Sequence, residues 1–224
     1  MAGKARRAMT GRNGNILLAA ALTLFIFTGA VVLVLNFRWL YYIDITLLGL
    51  AEKSGMTVQE IRANYDALIQ YNQFWYHGEL NFPNLIMSAT GRIHFQEVKR
   101  IFVAIQYLCM GSGLVSLIGI IRHARRHNLK YLKMTGILTL AIPVILGVLA
   151  ATNWDRFFVT FHHIFFRNNY WLFDSKTDPV ILILPDAYFM HCAIFILLLI
   201  VLGSLLCFWI YRRRRRGAVR RRGR

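Results

Sequence analysis

Acidic residues are scarce in this chain: ten Asp and Glu stand against 27 Lys and Arg, for a formal net charge of +17. Cysteine is scarce too. Cys109, Cys192 and Cys207 all fall within apolar runs, so no spacing suggests a disulfide frame or a zinc site. Several signatures are missing outright: a Gly-x-Ser-x-Gly elbow, a phosphate-cradling glycine loop, His-Glu-x-x-His and Cys-x-x-Cys. The pattern therefore names no serine nucleophile, no nucleotide, no cofactor and no metal. What the chain has in abundance is apolar sequence, 57% of its residues, together with that large positive charge. A soluble domain does not combine the two, because apolar residues in excess of one core would lie exposed to water.

The apolar residues are gathered into runs long enough for a bilayer, which takes about 20 residues at 1.5 Å each. Expected transmembrane helices cover 16–37, 101–121, 135–151 and 189–210. The third is short and contains Pro143, which predicts a kink or a buried bend. The spans separate a basic N-terminus (1–15), a loop (38–100), a basic turn (122–134), an aromatic loop (152–188) and an arginine-rich tail (211–224). All ten acids lie in the two loops 38–100 and 152–188, whereas the N-terminus, the turn and the tail carry 18 of the 27 basic residues. By the positive-inside rule the basic segments face the cytoplasm, with N- and C-termini inside and both loops outside. The expectation is an all-α polytopic membrane protein with four transmembrane helices and two sizeable outer loops containing short interfacial helices.

A sequence pI near 10.5 raises nucleic-acid binding as a possibility. The tail Arg212–Arg216 and Arg220–Arg222 has no interleaved aromatics and follows directly on a span, which makes it a topological anchor on anionic membrane lipids instead. The N-terminal run is too long for a signal peptide, and Asn36-Phe37-Arg38-Trp39 is no small-residue cleavage site, so it reads as an uncleaved anchor.

The outer loops hold the chemistry. In the first, Trp39-Leu40-Tyr41-Tyr42 is an interfacial aromatic cluster. Thr57 and Glu60 have capping-box spacing, and Ile61, Tyr65, Leu68 and Asn72 share one face of a helix over 58–72. Residues 91–100 run without a breaker into the second span, placing His94 roughly 10 Å before the apolar run. In the second loop, nine of the twenty residues Trp154–Phe173 are aromatic. A helix over 157–167 puts Phe157, Phe158, Phe161, Phe165 and Phe166 in one sector with His162, and Thr160, His163 and Arg167 opposite. Desolvation favours a neutral His162, whereas His163 is wetter. His162 is either a satisfied interfacial histidine or a general base. His94 and Glu97, three apart on one helix, could join His162 as metal ligands. Asp174 and Asp178 either orient a histidine or are solvated loop carboxylates. Cys192 beside His191 could carry a thioester, although a span cysteine is usually inert.

The stretch Phe161-His162-His163-Ile164-Phe165-Phe166-Arg167-Asn168-Asn169-Tyr170-Trp171-Leu172-Phe173-Asp174, with Asp178 and Leu184-Pro185 after it, resembles the signature of the bacterial lipoprotein intramolecular transacylases. His94-Phe95-Gln96-Glu97-Val98-Lys99 is similar to that family's second motif. The resemblance spans nearly the whole chain. It implies an enzyme of the bacterial cytoplasmic membrane, acting without a cofactor on diacylglyceryl-modified lipoproteins. The sn-2 acyl chain would move from glycerol to the α-amino group of the lipidated cysteine, giving the lyso-form. It implies that His94 and His162 are catalytic, and that Glu97, Asn168, Asn169, Trp171, Asp174 and Asp178 bind substrate or support them. His163 stands where the family pattern has no second histidine. Two other readings fit the residues alone: a non-catalytic membrane protein binding lipid or a partner through the aromatic loop, and a metal-dependent membrane hydrolase.

Overall fold

Long apolar runs that cannot satisfy their backbone from water must satisfy it internally, and an α-helix does so within one segment. The computed structural model describes residues 2–125 and 129–222, with side chains for 12–123 and 129–215. Lys4, Arg6, Arg7, Arg125, Arg126 and the arginines from Arg216 on have side chains outside that set. Among the described residues all regular structure is helical. The order is α1 (Ala2–Asn36), α2 (Arg38–Leu47), α3 (Leu50–Ser54), α4 (Val58–Tyr71), α5 (Ala89–Arg125), α6 (Lys130–Thr152), α7 (Trp154–Phe165), α8 (Val180–Ile183) and α9 (Asp186–Arg222).

Within α1, α5, α6 and α9, the stretches Arg12–Asn36, Ala89–His123, Lys130–Thr152 and Asp186–Arg215 are long and apolar enough to cross a membrane. Helix α6 runs through Pro143 and gains its first turn from Lys130–Lys133, so it is longer than the apolar run alone. Helix α5 begins at Ala89, well before its apolar run, and so carries His94 on its first turns.

The fold divides into two units. The first takes residues up to Ala30, Leu108–Leu146 and those from Leu197 on. Leu18, Ala19, Leu22, Tyr131, Leu132 and Cys207 form its core. Small residues let its helices approach: a Cβ on Gly113 would come within 2.9 Å of the Phe25 ring. Hydroxyls bridge helices as well, with Ser204 Oγ donating to the Gly136 carbonyl at 2.7 Å. The outward side chains are large and apolar, among them Leu114, Val115, Ile145 and Leu202. Water would penalise such a surface and lipid does not.

The second unit comprises Val31–Tyr107 and Gly147–Ile196. Its helix α4 starts on a capping box: Thr57 Oγ1 accepts from the Glu60 amide, and Glu60 Oε2 accepts from the Thr57 amide at 2.9 Å. Such a cap contributes about 1 kcal/mol. Ile61, Tyr65, Leu68 and Asn72 are all buried, as one helical face requires. Ile61, Tyr65 and Leu68 pack with Tyr41 and Ile45 of α2, Val180 and Ile183 of α8, and Tyr188 of α9. Tyr41 stacks on Tyr65 at 3.8 Å and donates its hydroxyl to the Ile183 carbonyl at 2.6 Å.

Two short helices share a construction the sequence reading did not supply. Helix α2 follows α1 after the single residue Phe37, whose backbone is non-helical. Helix α7 follows α6 after the single residue Asn153, whose side chain accepts from the Arg156 amide and caps the new helix. Each is amphipathic. The expected aromatic sector of α7 is narrower than composition suggested. Trp154, Phe158 and His162, each four residues apart, face inward, while Phe161 and Phe165 are exposed and Ile164 is 71% exposed.

Candidate active site

His94 and His162 are brought together in the second unit, their ring centroids 6.3 Å apart. The first comes from the opening turns of α5 and the second from the last turn of α7. Phe166, where α7 ends, is the residue that the sequence reading left out of the site. It is buried, edge-on to His94 at 4.6 Å and 5.7 Å from His162, and so fills the space beside both imidazoles. Phe173 also lies edge-on to His94, at 5.5 Å. A run of aromatics around a histidine was the available signal, although composition alone could not say which rings turn inward.

The two imidazoles are held differently. His162 Nδ1 lies 2.8 Å from the carbonyl oxygen of Phe158, one turn earlier. A carbonyl only accepts, so Nδ1 carries the proton and Nε2 keeps its lone pair. Phe158 packs on one side of the ring at 4.2 Å, and Trp171 stacks on it at 4.6 Å. Burial pushes the His162 imidazole below its ordinary pKa; the Phe158 hydrogen bond opposes this, and nearby His163 adds to it. His94 is 6% exposed, and its Nδ1 is buried without a hydrogen-bond partner among the described residues. A buried ring nitrogen left open is a place for a ligand or a water to bond. His163 is exposed and meets the edge of Trp171, at 5.5 Å.

The remaining sequence candidates form a frame around the pair. Glu97, one turn beyond His94 on α5, accepts from Asn168 Nδ2 at 2.9 and 3.2 Å. Asn168 Oδ1 accepts from the Tyr170 amide, and its backbone oxygen accepts from Trp171 Nε1 at 3.1 Å. Asn169 is exposed, and its carbonyl takes the Leu172 amide. Asp174 turns the loop by accepting from the Lys176 amide. Asp178 is buried and bonds the Ser88 amide and the Thr177 hydroxyl, so it ties the loop to the residue before α5. Both carboxylates hold the loop. Neither is spent on an imidazole in these contacts.

One carboxylate does meet a histidine, elsewhere in the unit. Both oxygens of Asp44 on α2 lie 2.9 Å from Nδ1 of His191 on α9. The sequence offered a signal for it: Tyr41, Asp44, Ile45 and Leu48 share a helical face, so an acid sits on the apolar side of α2. Cys192, beside His191, packs against the core cluster.

The family model for the lipoprotein intramolecular transacylase Lit matches residues 16–189. The chain belongs to that family. It is also 39% identical to the membrane-integral lipoprotein intramolecular transacylase Lit of Bacillus cereus, with a TM-score of 0.92 over 94% of this chain and 98% of that one. Two further Bacillus cereus Lit structures carry a histidine changed to arginine or to alanine. They match at 38% identity, with TM-scores of 0.87 and 0.88, covering 99% and 96% of this chain and 100% and 98% of theirs. Among curated proteins none matches. Membership in the Lit family makes the chain an acyltransferase that acts on lipoproteins, built as an all-helical membrane-integral protein.

Proposed function

We propose that His162 and His94 carry out the transfer of the sn-2 acyl chain of a diacylglyceryl-cysteine lipoprotein to the cysteine's own α-amine. The observation that carries this reading is the pair itself: two half-buried to buried imidazoles 6.3 Å apart in an aromatic surround. The α-amine, with a reference pKa of about 7.7–8.0, attacks as the free amine once its ammonium proton has gone to solvent, and it needs a base for the second proton it sheds on becoming an amide. His162 offers one, because its Nδ1–H is committed to Phe158 and its Nε2 lone pair is open. It takes the amine proton as nitrogen attacks the ester carbonyl carbon. The tetrahedral oxyanion forms, and an N–H of His94 stabilises it. The carbonyl–glycerol oxygen bond then breaks, and His162 returns the proton to the glycerol oxygen. The amide product and the freed hydroxyl remain on one molecule, so atoms balance without an acyl donor or a hydrolytic water. Nucleophile and ester are already tethered, and the site's task is to fold them together and keep water away.

In this reading the site faces the outer side of a bacterial cytoplasmic membrane, with both termini inside. The asymmetry of basic and acidic segments supports that orientation. The exposed Phe161, Ile164 and Phe165 face of α7 suits a substrate whose acyl chains stay in lipid. A metal-dependent alternative would need Glu97 as a ligand beside the histidines, and that carboxylate is engaged by Asn168.

The test is expression in a bacterium that makes no lyso-form lipoprotein, with mass spectrometry of lipoprotein N-terminal peptides. The expected product is N-acylated and S-monoacylglycerylated. An unchanged diacylglyceryl N-terminus, with the protein folded and abundant, would sink the proposal. Loss of product on chelation would favour the metal reading. Reporter fusions at either terminus that localise outside would overturn the orientation.

A further inference from the structure

Glu97 is the carboxylate nearest in sequence to His94, and the substrate brings an ammonium. Capture of that ammonium by Glu97 is the obvious assignment, and the contacts point elsewhere. Both Glu97 oxygens are engaged by one amide nitrogen of Asn168, across 71 residues of chain. Asn168 is in turn fully committed. Its Oδ1 takes the Tyr170 amide at 3.0 Å and its backbone oxygen takes the Trp171 indole N–H. These bonds close a tight turn that lays the Trp171 ring against His162 with an interplanar angle of 29°.

We infer that Glu97 is a positioning residue that acts through Asn168 and Trp171 to hold the His162 ring, and that it does not bind the substrate's ammonium. This rests on the assignment of His162 as the base. One turn of α5 then fixes both imidazoles: His94 directly from the backbone, and His162 through a hydrogen-bonded chain ending in a stacked indole. The function asks Glu97 for a hydrogen-bond acceptor, not for a negative charge. Substrate capture asks for the charge.

The experiment separates acceptor from charge, with purified enzyme in lipid and a diacylglyceryl lipopeptide bearing a free cysteine amine. Glu97→Gln keeps an oxygen for Asn168 and is expected to stay within about twofold of wild type in kcat and KM. Glu97→Ala removes the acceptor and is expected to lower kcat roughly ten- to a hundredfold at little-changed KM, the scale of a slightly misplaced catalytic group. Asn168→Asp sets two carboxylates face to face and should fall at least as far. The double variant E97Q/N168D reverses donor and acceptor and is expected to recover most of the kcat lost in N168D. The inference is overturned if E97Q is as impaired as E97A, if the loss in E97Q is in KM, or if the double variant stays as slow as N168D. A fully active His162→Ala would instead remove the assignment of the base, and the positioning role with it.

Discussion

The second unit holds two histidine sites built on opposite plans. His162 meets a carbonyl, aromatic faces and another imidazole. His191 meets a buried carboxylate that takes its Nδ1 at 2.9 Å from both oxygens. Each partner is delivered by a short amphipathic helix that follows a long apolar helix after one non-helical residue, α7 for His162 and α2 for Asp44. The frame is therefore the same and the electrostatics differ. An imidazole without a counter-charge is free to gain and lose a proton during a reaction. One clamped by an acid is suited to hold two helices together, since the buried Asp44 carboxylate would lose its hydrogen-bond donor on separation.

The largest effect that would break the contrast is chemical. His162→Ala should lower N-acyl product formation by about 10²- to 10⁴-fold, the usual contribution of a positioned acid–base group. Circular dichroism and thermal unfolding should be near wild type. A fully active variant would leave the two sites without a functional distinction.

The next is structural. His191→Ala leaves the Asp44 carboxylate, whose side chain is 2% exposed, without its hydrogen-bond donor and should destabilise the protein by about 1–3 kcal/mol. Replacing both members with leucine should cost much less. Unfolding midpoints in lipid would report this, and activity at a temperature where the variant stays folded should persist. Lost activity with unchanged stability would make the second site chemical as well.

A smaller effect sharpens the electrostatic side. Burial holds the His162 pKa below its ordinary value of about 6.5, so the acid limb of its pH–rate profile should lie below that pH. The neutral ring is the form the fold favours; its contribution to stability is full above pH about 6.5 and is lost as pH falls through the depressed value. Trp171→Ala wets the ring and should move the limb upward. A limb that stays in place would mean that Trp171 does not shield His162. The smallest effect belongs to His163, which is exposed and touches the indole edge. His163→Ala should stay within about 0.5 kcal/mol in stability, as surface changes usually do, and close to wild type in rate.

Much of this contrast was legible before the fold, and the illegible part has one cause. Apolar runs and the Thr57–Glu60 cap are local patterns, and each forced a local structure. His94 and His162 stood out because each lies in a motif of its own. The Asp44–His191 pair has members 147 residues apart, with no flanking motif on either. The inward and outward sides of α7 were misjudged because aromatic residues occupy both, so hydropathy could not separate rings facing the site from Phe161 and Phe165, which are exposed. Nothing in the sequence set Glu97 on Asn168 in place of an imidazole or a metal, because that choice depends on how the turn after α7 closes.

The stacking of Trp171 on His162 also turns the site into its own optical reporter. A protonated imidazole quenches the emission of an indole in contact with it, and a neutral one does so far less. The chain has five tryptophans, so a variant with the other four changed to phenylalanine, and with His163, which also meets the indole, changed to alanine, would follow the charge of His162 by emission intensity, with and without a bound lipopeptide.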